Sequence, residues 1–147
     1  KIAALADQIE TPEQAKKRAG SKALVGRAII RVVTTHLGLW PKERPVQATR
    51  LLECLQVTES EVTILMGDLN EWQVWGKSLR VLRRVFGTPA SPSTFPTIWP
   101  LLALDRIWVF PPQALRSIRA HHSGQSLTAS DHLPVKAEVC FSAGNDA

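Results

Sequence analysis

Apolar and polar positions alternate between two periods along this chain. Residues 28–35, Ala-Ile-Ile-Arg-Val-Val-Thr-Thr, are rich in β-branched residues and predict a strand. Gly38 and Pro41 then mark a loop. Within residues 45–56, Ala48, Leu51, Leu52 and Leu55 recur at i, i+3, i+4 and i+7, which is one face of a helix. Residues 62–66, Val-Thr-Ile-Leu-Met, are a short apolar run stopped by Gly67 and predict a buried strand. Residues 77–86 return to the helical period, with Leu79, Leu82 and Phe86 on one side and Lys77, Arg80 and Arg84 on another. Four prolines between residues 88 and 100 require an irregular loop. Residues 101–110 predict a strand interrupted by Asp105-Arg106, and residues 111–130 a loop. Residues 133–141 alternate strictly, with Leu133, Val135, Ala137, Val139 and Phe141 on one face, and predict a half-buried strand. At the start, Thr11-Pro12-Glu13-Gln14 suits a helix start and Gly20 a stop, so residues 1–20 read as helical. Strands separated by helices give an α/β class.

Composition narrows the function classes. The 147 residues are 44% hydrophobic and 21% charged, as in an ordinary globular domain, which argues against disorder and coiled coil. No apolar run approaches the roughly 18 residues of a membrane span. No segment near Lys1 reads as a signal peptide, but the sequence starts without Met, so this end does not fix the compartment; a cytoplasmic protein is the expectation, with a signal peptide left open. The two cysteines, Cys54 and Cys140, exclude a disulfide scaffold and leave either one bridge or two buried thiols, the latter expected. The net charge of +5 is unevenly spread. Residues 51–71 hold five acids and no Lys or Arg, whereas residues 72–136 hold eight Lys and Arg and only two acids, Asp105 and Asp131. A basic surface suits a phosphate-bearing partner; a solvated face is the plainer alternative.

Candidate chemistry collects at strand ends. The strand at 28–35 runs into His36, and that at 62–66 into Asp68 and Asn70. Asp105 interrupts an apolar run, and Asp131-His132 precede the last strand. A carboxylate within an apolar run is costly to bury unless paired with a cation, a metal or an imidazolium. Arg106 next door offers the simple surface pair. His121-His122 fit a loop surface better than a ligand pair, and most of the five tryptophans fit packing better than base stacking. Arg80, Arg83 and Arg84 read as a solvated helix face.

Four motifs, Thr35-His36-Leu37, Gly67-Asp68-Leu69-Asn70, Leu104-Asp105-Arg106-Ile107 and Ser130-Asp131-His132-Leu133-Pro134-Val135, occur in this order. Together they resemble the endonuclease/exonuclease/phosphatase superfamily, which includes deoxyribonuclease I, exonuclease III-type abasic-site endonucleases, sphingomyelinases and inositol polyphosphate phosphatases. Arg44 and Gln47, Glu71-Trp72 and Thr94-Phe95-Pro96 agree with it. The resemblance is strongest to the small bacterial members and covers residues 24–141, leaving a segment of unclear role at 1–23 and a tail at 142–147.

The resemblance implies part of a four-layer α/β sandwich, two packed β-sheets with outer helices, and a divalent-metal-dependent phosphoester hydrolase, foremost a phosphodiesterase or nuclease. It implies that Asp68 orients or deprotonates the attacking water and Asn70 holds the phosphate. Asp131, with Asp68, would bind Mg²⁺ or Mn²⁺. His132, oriented by Asp105, would contact the phosphate or act as base, and His36 would be a phosphate contact or general acid. Arg44, Phe95 and Trp99 would bind substrate. Zinc is not expected, since close His/Cys ligand spacing is lacking.

The family's metal site also draws an Asn and a Glu from the first half of its domain, and neither has a counterpart here. Upstream of His36 the acids are Asp7, Glu10 and Glu13, and the first Asn is Asn70. The chain therefore resembles the C-terminal half of the fold. A sheet face left apolar would call for a second copy or a missing half to cover it. Two alternatives to a nuclease stand: a catalytically incomplete remnant that binds nucleic acid or a protein, and a phospholipid or inositol-phosphate phosphoesterase.

Overall fold

The computed structural model describes residues 21–25, 28–57 and 61–140; the helix expected within residues 1–20 lies outside them. The β-branched run forms β2 (Ala28–His36), preceded by β1 (Ser21–Val25). The first helical repeat forms α1 (Arg44–Leu55), with Pro in its first turn, where a missing N–H costs nothing. The run ending at Gly67 forms β3 (Glu61–Asp68) and the second helical repeat forms α2 (Lys77–Phe86). Then come β4 (Asp105–Phe110), β5 (Leu115–Ala120), the short α3 (Gly124–Ala129) and β6 (Val135–Val139).

One sheet has the order β1-β2-β3-β4 and a second contains β5 and β6. β2 and β3 are parallel, joined through α1, while β1 and β4 pair antiparallel with β2 and β3. Register places Val33, Leu65 and Trp108 side by side across three strands. All three are buried and join Ala48 and Leu55 of α1 and Leu79, Leu82 and Phe86 of α2 in one core cluster. Burying each of these large side chains contributes about 1.5–3 kcal/mol. The opposite face carries Val32, Ile64, Met66 and Ile107, all half-buried.

Three expectations need correction. The strand at 101–110 begins only at Asp105, because Leu101–Leu104 belong to the preceding loop and Leu101 is 67% exposed. The segment 111–130 is not all loop; it holds β5 and α3. Cys54 and Cys140 are both free, and Cys140 is exposed rather than buried. Among the described residues, no helix is long and apolar enough to cross a membrane.

Candidate active site

The last rung of the large sheet carries three of the candidate side chains. Register pairs His36 with Asp68 and Asp68 with Asp105, so three polar side chains stand in one cross-strand row. Strand alternation puts this row on the face opposite Val33, Leu65 and Trp108. Gly67 supports the row from within. Its φ is +150°, and a Cβ there would lie 1.7 Å from the Thr35 carbonyl oxygen.

The loop after β3 is folded by its own polar groups. Asn70 adopts a left-handed conformation, φ 51°, which Asn tolerates better than most residues. Its backbone N–H donates to Asp68 Oδ1 at 2.8 Å. Its side-chain Nδ2 donates to the Leu37 carbonyl at 2.7 Å and lies 3.4 Å from His36 Nε2. Leu37 N–H also donates to the Asp68 carbonyl at 2.9 Å. The ends of β2 and β3 are thus locked together around Asn70.

His132 arrives from the loop before β6. That loop is tied to the proline-rich segment: Leu133 N–H donates to the Thr94 carbonyl at 2.9 Å and Thr97 N–H to the Asp131 carbonyl at 2.8 Å. Thr97 Oγ1 donates to the Ser130 carbonyl at 2.7 Å. The imidazole Nδ1 then meets Asp105 Oδ2 at 2.7 Å, and the Phe95 ring lies 4.9 Å from it, centroid to centroid. Thr94 Oγ1 donates to the same Asp105 oxygen. Partial burial pushes the His132 pKa down; the hydrogen bond to Asp105 and the nearby charges of Asp105, Asp68 and Asp131 outweigh it, and the net shift is upward.

Asp68, Asp105 and His132 each offer a ligand atom within 4.8 Å of the others. The donor set is two carboxylates and one imidazole, all half-buried, which fits a hard divalent cation through its oxygens. Asp105 Oδ2 and His132 Nδ1 already bond to one another, so Asp68 offers the freer oxygen. His36 Nδ1 stands 3.8 Å from Asp68 Oδ2.

Other expected residues fall around this centre. Asp131 is exposed and stands outside the tight cluster, although its charge reaches His132. Phe95 touches His132, whereas Trp99 is 72% exposed. Arg44 is buried away from the cluster, beside Glu71. Of the pair His121-His122, His122 is exposed. Sequence reasoning missed two contributors. Thr94 holds Asp105, and its only signal was its place in a motif ahead of the strand. Glu71 anchors a buried network, accepting from Ser78 Oγ at 2.9 Å, while the buried Arg106 donates to the carbonyls of Ala103 and Glu71 at 3.0 and 3.4 Å. Burial and nearby Arg83 lower the Arg106 pKa against the opposing charge of Glu71.

The chain belongs to the Endonuclease/Exonuclease/phosphatase family, whose sequence profile matches residues 10–132. This is a family of nucleases and phosphatases that typically uses divalent metals. The uncharacterized protein YbhP of Escherichia coli K12 is 33% identical over 130 residues, 79% of this chain and 48% of that protein. The chain thus spans about half the length of the curated relatives it matches. The fold is shared with an endonuclease/exonuclease/phosphatase from Bacteroides vulgatus (TM-score 0.63, 17% identity, 80% of this chain and 51% of that one). It is also shared with an AP endonuclease from Archaeoglobus fulgidus (TM-score 0.59, 15% identity, 84% of this chain and 65% of that one).

Proposed function

We propose that this chain carries the catalytic edge of a Mg²⁺- or Mn²⁺-dependent phosphodiesterase acting on nucleic acid, by attack of water on phosphorus. The observation that carries this reading is the His132–Asp105 hydrogen bond of 2.7 Å with Asp68 in the same cluster. Hydrolysis puts negative charge on phosphoryl oxygens, so the site must supply donors to them, a base for the water and a proton for the leaving oxygen. Asp68 orients the water and takes its proton. Asn70 Nδ2 uses one hydrogen on the Leu37 carbonyl, and the second, on the side of His36 Nε2 at a long 3.4 Å, turns to a phosphoryl oxygen. Asp105 holds His132 with Nδ1–H facing the carboxylate, leaving Nε2 to meet the phosphate. His36 protonates the leaving oxygen. A divalent ion at the Asp68-Asp105-His132 cluster, taken chiefly through the freer oxygen of Asp68, would neutralise developing charge on the phosphate, with the exposed Asp131 adding charge nearby.

The test is hydrolysis of bis(p-nitrophenyl) phosphate with Mg²⁺ or Mn²⁺. Asp68→Asn and His132→Gln are each expected to lower turnover about 10²–10⁴-fold, the usual worth of a positioned acid or base. Equal rates in wild type and both variants would sink the assignment. A second reading is binding of nucleic acid without turnover, which the net charge of +5 and the basic stretch over residues 72–136 favour. Salt-sensitive binding with no metal-dependent rate would select it.

A further inference from the structure

His132 and Asp105 are 27 residues apart in the chain, with β5 and α3 between them, yet their side chains meet at 2.7 Å. A working pair of this kind needs both backbones placed to about 0.5 Å. Asp105 starts a strand, so the sheet places it. His132 has no such support. It follows Ala129, Ser130 and Asp131, all exposed, in the loop between α3 and β6.

The segment from Thr94 to Thr97 holds that loop from both sides of His132. Thr94 donates its Oγ1 to Asp105, and its carbonyl accepts from Leu133 N–H at 2.9 Å. Thr97 donates its N–H to the Asp131 carbonyl at 2.8 Å and its Oγ1 to the Ser130 carbonyl at 2.7 Å. Four residues thus reach both Asp105 and the loop that carries its partner. Thr97 is 3% exposed, so a buried side chain anchors an exposed strip of chain. On the far side, His121 N–H donates to the Pro134 carbonyl at 2.7 Å. Among the described residues, the Thr97 hydroxyl is the one side chain outside residues 130–134 that bonds to their backbone. The other ties run from backbone to backbone, which most residues can make. At Thr97, therefore, residue identity decides where the loop sits.

Losing this bond has unequal consequences. Ser130 is exposed, so its carbonyl can turn to water and the fold loses little. The loop, however, gains freedom two residues from the imidazole. A small displacement of a reacting group costs rate out of proportion to stability.

We propose that Thr97 is a positioning residue whose hydroxyl, through Ser130, seats His132 on Asp105. The seating stands on the hydrogen bonds themselves; its worth for turnover rests on the phosphodiesterase reading. Phe95, 4.9 Å from the imidazole between ring centroids, steadies the ring, and Thr97 steadies the backbone that carries it.

Two readouts test this. Nitrogen–proton correlation NMR of the neutral imidazole shows which ring nitrogen carries the proton. In the wild type this is expected to be Nδ1, facing Asp105. In Thr97→Val the proton is expected to move towards Nε2, and in Thr97→Ser to stay. In hydrolysis of bis(p-nitrophenyl) phosphate with Mg²⁺, kcat is expected to fall about tenfold or more in Thr97→Val and to stay within about threefold in Thr97→Ser. In a His132→Gln background, Thr97→Val is expected to cost nothing further, because it acts through His132. Circular dichroism checks folding; if Thr97→Val does not fold, Thr97→Cys, with its weak S–H donor, takes its place. Thr128→Val removes a threonine-to-carbonyl bond of the same kind in α3 and is expected to change neither readout. An unmoved proton in Thr97→Val, a failure of serine to rescue, or an equal further loss in the His132→Gln background would each overturn the proposal. So would matching effects of Thr128→Val. A wild type without metal-dependent turnover would overturn the phosphodiesterase reading, and the NMR comparison would still decide what seats His132.

Discussion

Two polar clusters sit at the same sheet edge, and they differ in access more than in residue type. One joins Asp68, Asp105 and His132, all half-buried. The other joins Glu71, Ser78, Arg44 and Arg106, all buried. In the first, side chains meet at the surface and groups such as Asn70 Nδ2 keep a donor to spare. In the second, Glu71 is tied to the start of α2 and to the loop before it. Burial raises the cost of removing a partner, because the groups left behind have no water to turn to. An open cluster can lose one member and still be solvated. The closed cluster thus holds the edge in shape, and the open one stays within reach of solvent.

The largest effect expected from this difference is Glu71→Ala. It leaves Ser78 Oγ without its acceptor and removes the one carboxylate beside buried Arg44 and Arg106. A loss of about 3 kcal/mol in urea unfolding is expected. Asp105→Asn, in the open cluster, is expected to lose only about 1 kcal/mol, the ordinary worth of one hydrogen bond. Equal losses in the two variants would break the comparison. Gly76→Ala sharpens it without touching a polar group. A Cβ at Gly76 would lie 2.4 Å from Glu71 Cδ and 2.5 Å from its Oε2, so the carboxyl must leave its seat against Ser78. A loss of about 1–3 kcal/mol is expected, in the range of overpacked sites. A neutral Gly76→Ala would mean that the closed cluster rearranges freely.

The sequence disclosed the two clusters unequally, for physical reasons. Helix periodicity placed α1 and α2 because both bury a continuous apolar stripe. β5 was hidden because its ladder with β6 shifts register between Leu115 and Ser117, which spoils a period of two. α3 was hidden because it is six residues long and is capped by a Ser123–Ser126 pair, with no Glu or Gln at the third position. The open cluster was legible because its residues sit at strand ends inside compact motifs. The closed one was not, because Glu71 and Ser78 come from different elements and nothing in their spacing says that they meet. Asp105 shows the limit from the other side. Its cost within an apolar run demanded a partner, but adjacent Arg106 turned into the protein and His132 became the partner instead.

The smallest expected effect is a pH dependence of the open cluster. His132 has a raised pKa: partial burial opposes its charge, and the Asp105 hydrogen bond and the nearby carboxylates more than compensate. A group whose pKa is higher folded than unfolded stabilises the fold fully below its unfolded value, near 6.5. That contribution fades as pH rises through the folded pKa. Metal-free protein should therefore lose a little stability as pH climbs from about 6.5 through that higher value. Asp105→Asn should flatten this slope, because it removes both the hydrogen bond and the nearest charge. NMR titration of the imidazole reads the same difference directly. The His132 midpoint should lie above 6.5 in the wild type and fall in Asp105→Asn. Because the ring is partly solvated, salt should also lower the wild-type midpoint, which a buried pair would resist. An unchanged midpoint in Asp105→Asn would show that Asp105 does not set the charge of His132, and the open cluster would then lack the pairing on which the proposed hydrolysis depends.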